Sequence, residues 1–223
     1  MKGRTIILII LLIVLADQAL KLYIKTNYYI DESTNVLGHW FRLRFVENDG
    51  MAYGWKFGGN WGKMLLTIFR LGAVIFGVFY IGKIIEKKYH KGFIVCAGLI
   101  FAGALGNLID SMFYGLIFEE SIPGSMNIAK IFPEHGYASF LHGKVVDMLY
   151  FPIIQIDKLP SWVPIWGEKE FEFFSPIFNI ADASISVGVI AILLFQKRFF
   201  PHHTKEKTAV ETNAVVNDDV QVS

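Results

Sequence analysis

Four stretches of the chain are long, apolar and almost free of charge. The first, residues 5–16, follows Lys2 and Arg4 and runs on past Asp17-Gln18 into Ala19-Leu20-Lys21-Leu22-Tyr23. A basic start and an apolar run also describe a secretory signal peptide. Here the run continues without a small-x-small cleavage site, and three further apolar segments follow, so it is read as a retained span. Those segments are residues 64–85, residues 93–108 (extendable to 116) and residues 178–195, the last stopped by Lys197 and Arg198. Each is about long enough to cross a bilayer, which takes roughly 20 apolar residues in a helix. The pattern predicts four transmembrane helices.

The connections differ from one another. In the first, His39-Trp40-Phe41-Arg42-Leu43-Arg44-Phe45-Val46 mixes aromatic and β-branched residues with arginines two apart, a strand pattern. Asn48-Asp49-Gly50 is a turn signal, and residues 51–55 are expected to return as a second strand. The second connection is short and lysine-rich. The third is long, with Pro123, Pro133, Pro152, Pro160, Pro164 and Pro176, and carries Trp162 and Trp166, suited to the membrane interface. The expected fold class is therefore membrane α-helical, with four transmembrane helices, a small extracytoplasmic β-sheet and a long 3–4 connection. Residues 1–199 form one domain on this reading, and 200–223 a polar, disordered cytoplasmic tail.

Charge orients the spans. Lys2 and Arg4 precede the first; Lys83, Lys87, Lys88 and Lys91 crowd the link between the second and third; Lys197, Arg198, Lys205 and Lys207 follow the fourth. Positive charge stays inside, so both termini and this link are expected in the cytoplasm. The outward connections carry acids such as Asp31, Glu32, Glu119, Glu120, Glu168 and Glu170. Composition agrees with a membrane class: 53% of residues are hydrophobic and 18% charged, with a mean hydropathy of +0.43. A net charge of +1 gives no reason to expect a nucleic-acid partner. The single cysteine, Cys96, rules out an internal disulfide and is read as a small buried hydrophobe.

With that topology, each ionisable residue near a span acquires a depth. Asp17, Gln18 and Lys21 fall at the outer end of the first helix, and Arg70 near the outer end of the second. Asn107 and Asp110 end the third, and Asn179 and Asp182 begin the fourth. Scattered placement would have used both sides; all of these fall on one. A carboxylate in a membrane helix is costly and marks a functional site with a partner. For Asp182 the candidate partners are Asp17, Asp110 and Asp147, the last ending a β-rich run, Gly143-Lys144-Val145-Val146-Asp147. Asp17 is read first as a structural ion pair with Lys21, four residues on. Asp110 has no cation near it in sequence and stands as either structural or catalytic. Two carboxylates in a poorly hydrated site share one proton near neutrality, so one can deprotonate water while the other donates, as in aspartic proteases. No H-E-x-x-H, G-x-S-x-G or G-x-G-D pattern is present to support a competing hydrolase chemistry.

Five blocks then stand out: Asp17-Gln18-Ala19-Leu20-Lys21; Asn48-Asp49-Gly50-Met51-Ala52-Tyr53-Gly54; Gly103-Ala104-Leu105-Gly106-Asn107-Leu108-Ile109-Asp110; Val145-Val146-Asp147; and Phe178-Asn179-Ile180-Ala181-Asp182. In this order and topology the chain resembles the lipoprotein signal peptidases (type II signal peptidases), and looks like a member from the Bacteroidetes lineage. The resemblance implies an aspartic endopeptidase of the bacterial inner membrane. Such an enzyme removes signal peptides from diacylglyceryl-modified prolipoproteins, cutting just before the lipidated cysteine at the outer face. It implies Asp147 and Asp182 as the catalytic pair, and Asn107, Asp110 and Asn179 as their support. Asp17, Lys21, Asn48, Gly50 and Ala52 are implied around the substrate site. The implied partners are the prolipoprotein and membrane lipids, with no cofactor; a monomer is expected, though the sequence itself does not fix the oligomeric state.

Two departures accompany the resemblance. Where the family usually has arginine after the Asp110 position this chain has Ser111, leaving Arg70 or Lys144 as substitutes, and the stretches 111–142 and 148–176 are longer than usual. The competing class is a non-enzymatic membrane protein using the same charges for ion or solute passage. Four spans are few for that, and no inverted repeat or discontinuous helix is evident.

Overall fold

In the computed structural model the first apolar run forms helix α1, Gly3–Asn27. The structure describes residues 3–48, 59–152, 154–156, 171–173 and 176–200. The second and third runs form α2 (Gly59–Glu86) and α3 (Lys91–Ile109). A tight link joins them, with His90 capping α3 by accepting from the Gly92 backbone N–H at 3.1 Å. Past Ile109 the third helix widens into a π-helical segment, Asp110–Tyr114, and ends in the single turn α4, Gly115–Ile117. Among the described residues, three helices are thus long and apolar enough to cross a membrane: Gly3–Asn27, Trp61–Glu86 and Lys91–Ile117. Half (50%) of the third span's most apolar window is buried inside the protein, against 22% and 17% for the first two, so α3 is the central helix. The outward faces carry exposed apolar side chains such as Leu12, Phe69, Phe76 and Phe79, as lipid contact requires.

The fourth run departs from expectation at its start. Ile177–Phe178 are not helical but form a short strand, β6, and helix α5 begins only at Ile180 and runs to Leu194. The reason is local: Asn179 adopts an extended backbone and its side chain accepts from the Asp182 N–H at 2.8 Å, an N-cap that fixes the first helical residue. A short helix, α6 (Gln196–Phe199), follows Phe195.

The predicted sheet is present and larger than expected. Strands β1 (Ser33–Leu37), β2 (Phe41–Asn48), β3 (Val145–Tyr150) and β6 lie in the order β1-β2-β3-β6, with every pairing antiparallel. Thus β2 takes its inner partner from the third connection. Strand β3 is buried along almost its whole length, which explains its run of apolar residues without alternation. Its pairing with β2 skips a residue, Leu43 facing Leu149 but Val46 facing Asp147, a bulge of the kind that re-aims side chains. Strands β4 (Ile154–Ile156) and β5 (Phe171–Phe173) form a separate antiparallel pair. The expected return strand at 51–55, Trp162, Trp166 and residues 201–223 of the tail lie outside the described residues.

Close helix packing carries the start of α5 to the sheet. A Cβ at Gly103 of α3 would sit 2.2 Å from the Ala181 carbonyl oxygen, and one at Gly106 would sit 2.7 Å from the Asp17 carboxylate. Only glycine lets α1, α3 and α5 meet this tightly, and Asp182 is one residue beyond that contact.

Candidate active site

The site is built around a buried lysine of α1. Lys21 is fully buried, and its Nζ lies 2.9 Å from Asp17, 2.7 Å from Asp110 and 2.9 Å from the Asn107 Oδ1. An ammonium has three donors, and here each has an oxygen. Asp17 and Asp110 are themselves buried, at 1% and 0% exposure, so the three charges stand or fall together. Asp17 does more than balance Lys21: its other oxygen accepts from the Ala181 N–H at 2.9 Å, occupying an amide that the first turn of α5 leaves without a helical partner. Asp110 accepts from the Gln18 side chain at 2.9 Å and from the Val146 N–H at 3.4 Å, tying α1 to β3. Tyr114 donates to Gln18 at 3.2 Å, completing a polar chain within the π-helical segment.

Two asparagines connect this buried frame to two further carboxylates. The Asn107 Oδ1, held by Lys21, also accepts from Asn179 at 3.1 Å, while its amide donates to the Asp182 carboxylate at 2.7 Å. Asn179 donates to the Asp147 carboxylate at 2.7 Å. Asn48, diagonal to Asp147 across β2 and β3, donates to its other oxygen. Asp147 from the strand and Asp182 from the helix start are therefore brought to one place by a continuous set of side-chain donors.

The two carboxylates differ in setting. Asp147 is 2% exposed, whereas Asp182 is half-buried. Burial, then the negative charge of Asp182, push the Asp147 carboxyl well above the usual carboxylate range; Lys21 and the Asn179 hydrogen bond oppose this. The deep member is thus shifted toward its protonated form, and Asp182 is the more exposed of the two. Such a pair can supply a base and an acid at once.

Of the residues singled out from sequence, Asp17, Lys21, Asn48, Asn107, Asp110, Asn179, Asp147 and Asp182 fall in this one cluster. Gly50 and Ala52 lie outside the described residues. Asp110, which has no cation near it in sequence, has Lys21 as its partner. The two substitutes for a cation at Ser111 separate: Arg70 donates to the Ser111 hydroxyl at 3.0 Å, while Lys144 turns to Glu120 at 3.4 Å and Glu47 at 3.8 Å. Gln18, to which the sequence assigns no role, is part of the frame through its contacts with Asp110 and Gly106. Among the described residues, no group of three His, Cys, Asp or Glu side chains is arranged to hold a metal ion.

The chain matches the family model for signal peptidase (SPase) II over residues 9–198. It is 42% identical over 199 residues to a lipoprotein signal peptidase of Porphyromonas gingivalis, covering 88% of this chain and 84% of that one. It is 34% identical over 206 residues to a lipoprotein signal peptidase of Amoebophilus asiaticus, covering 91% and 82%. In structure it is similar to a bacterial membrane enzyme solved by the in meso method at 2.3 Å resolution, with a TM-score of 0.58, 26% identity and coverage of 92% and 93%. A second such enzyme, solved at 1.9 Å, gives a TM-score of 0.55 at 28% identity, covering 86% of this chain and 92% of that one.

Proposed function

This chain belongs to the signal peptidase II family, and we propose that Asp147 and Asp182 are the aspartic dyad with which it cleaves prolipoproteins. The enzyme is a hydrolase of a multi-pass bacterial membrane protein class, removing signal peptides from prolipoproteins. The observation that carries the dyad reading is the pair of asparagine bridges. Asn107 holds Asp182 and Asn179 holds Asp147, and the two amides are bonded to one another. No structural pairing of the two acids is gained by such an arrangement; what it gains is a fixed mutual position.

In the proposed reaction Asp182, the shallower carboxylate, takes a proton from water as the oxygen attacks the carbonyl carbon of the bond before the diacylglyceryl-modified cysteine. Asp147, protonated through its burial, donates to the carbonyl oxygen as the tetrahedral intermediate forms. Collapse breaks the C–N bond, a proton passes to the leaving amine, and the pair returns to one shared proton. Asp17, Lys21, Asp110 and Gln18 hold the frame, with no direct part in proton transfer.

We place this chemistry at the outer face of the membrane, with both termini cytoplasmic, from the lysine-rich α2–α3 link and the gathering of polar groups at the opposite helix ends. The fourth span is then α5. Its 15 residues rise about 22 Å, less than the roughly 30 Å hydrocarbon core. A helix that starts at the depth of the reacting bond needs no more. That depth suits a substrate whose acyl chains remain in the bilayer. Purified enzyme given a lipobox peptide with and without the diacylglyceryl group tests the reading. Cleavage of the modified peptide alone, at the single bond before the cysteine, is expected; equal cleavage of both would count against lipid recognition.

A further inference from the structure

Taking the dyad reading as its premise, we infer that Arg70 of α2 is a positioning residue for the Asp147–Asp182 pair, supplying from a facing helix the positive charge that keeps the pair singly ionised. The structure places three groups in series. The Arg70 guanidinium donates to the Ser111 hydroxyl at 3.0 Å, that hydroxyl donates to the backbone carbonyl oxygen of Asn107 at 2.9 Å, and the side-chain amide of Asn107 donates to Asp182 at 2.7 Å. Ser111 is 2% exposed and sits in the π-helical segment, so it is a fixed anchor rather than a surface contact.

Charge makes the contact more than structural. The carboxylates that act on Arg70 are Asp182 from α5, then Asp110 from the π-helical segment and Asp147 from β3. Neighbouring cations are committed elsewhere. Lys21 has its donors on Asp17, Asp110 and Asn107, and Lys144 is turned to Glu120 and Glu47. Lys63, on α2 itself, stands two turns away and is buried. Asp147 additionally faces Lys21 of α1, Asn179 at the start of α5 and Asn48 of β2, none of which belongs to α2. A guanidinium is charged at every pH at which the dyad titrates, so its effect on the pair is constant. A positive charge favours each ionised form, and its removal raises both apparent pKa values of a coupled pair together.

The experiment is the pH–rate profile of the full chain in lipid nanodiscs with a diacylglyceryl-modified lipobox peptide. Arg70→Gln is expected to carry both limbs of the bell to higher pH by about one unit, giving roughly a tenfold loss of rate on the acid limb. Arg70→Lys, which keeps the charge and loses the fork, should lower the plateau with the limbs near their original pH. Ser111→Ala should move the limbs in the same direction as Arg70→Gln, by less. Limbs that stay in place in Arg70→Gln, whatever the plateau, would overturn the inference. If Arg70→Gln does not fold, unmoved limbs in Ser111→Ala serve as the overturning result. Asp147→Asn and Asp182→Asn run alongside: their inactivity beside unmoved limbs sinks only the role of Arg70, while their activity sinks the dyad itself.

Discussion

Replacing Lys21 with methionine probes the frame on which both carboxylates depend. The substitution keeps the length and apolar stem of the side chain and deletes one ammonium. That ammonium has oxygens of Asp17, Asp110 and Asn107 at 2.9, 2.7 and 2.9 Å, with both acids at most 1% exposed. Without it two carboxylates face each other in a site closed to water, and at least one must take up a proton. Removing one partner of a buried pair costs about 3–5 kcal/mol, because the remaining charge is left uncompensated. Against a typical total of roughly 5–15 kcal/mol this is a large loss. The Lys21→Met/Asp110→Asn double variant removes one of the stranded charges and should recover part of it, so the two effects are not additive. The assay is reversible unfolding of the purified protein in detergent micelles at neutral pH, read by circular dichroism. A Lys21→Met protein within about 1 kcal/mol of its parent, the range of solvent-exposed pairs, would refute the reasoning and mean that water reaches the cluster.

Three further outcomes follow from the same geometry. Gly103→Ala forces a Cβ against the Ala181 carbonyl and should cost about 1–3 kcal/mol with a marked fall in turnover, whereas Gly72→Ala, which meets nothing within 4 Å, should leave activity intact; thermal melts and cleavage rates of both check this. Because burial and the charge of Asp182 raise the folded-state pKa of Asp147, the folded protein binds its proton more tightly than the unfolded chain. That contribution is complete below about pH 3.9 and is lost as pH rises through the elevated value. Asp147→Asn should therefore abolish a decline whose steepest slope is about 1.4 kcal/mol per pH unit, as measured by denaturation across pH. In a Cys96→Ala background, a cysteine at exposed Lys88 should resist a membrane-impermeant thiol reagent in intact cells and one at exposed Glu120 should react. The reverse pattern would turn the site to the cytoplasm.

Much of this was legible in the chain because a bilayer imposes strict terms. Apolar length announces a span, and an acid beside one must have a purpose, so Asp17, Asp110 and Asp182 stand out in the sequence. The strand character of the run ending at Asp147 was also visible, since a buried strand is uniformly apolar. What could not be read was pairing across distance. Spacing rules link Asp17 to Lys21 four residues on, but nothing in sequence joins Lys21 to Asp110, or Arg70 to Ser111. Strand β1 gives no signal in the sequence, because Ser33–Leu37 is exposed throughout and shows no alternation. The bulge in β2 and the π-helical widening at Asp110–Tyr114 are backbone adjustments set by tertiary packing. The helix boundary at Asn179 was written in the sequence as a capping residue, but the apolar Phe178 before it masked the signal.

The most direct test of the central claim compares three single substitutions in one cleavage assay. Purified Asp147→Asn, Asp182→Asn and Asp110→Asn proteins, each shown to be inserted and folded, are given the same diacylglyceryl-modified lipobox peptide. Asparagine keeps the shape of each side chain and removes its capacity to exchange a proton. Turnover should fall by at least about 10²–10⁴-fold for Asp147→Asn and for Asp182→Asn, the scale of lost general acid–base catalysis. Asp110→Asn, which weakens the Lys21 frame, should act through stability and leave measurable turnover in the folded fraction. Near-parental cleavage by either Asp147→Asn or Asp182→Asn would contradict the dyad, and abolition by Asp110→Asn in a fully folded protein would make Asp110 the acid to examine next.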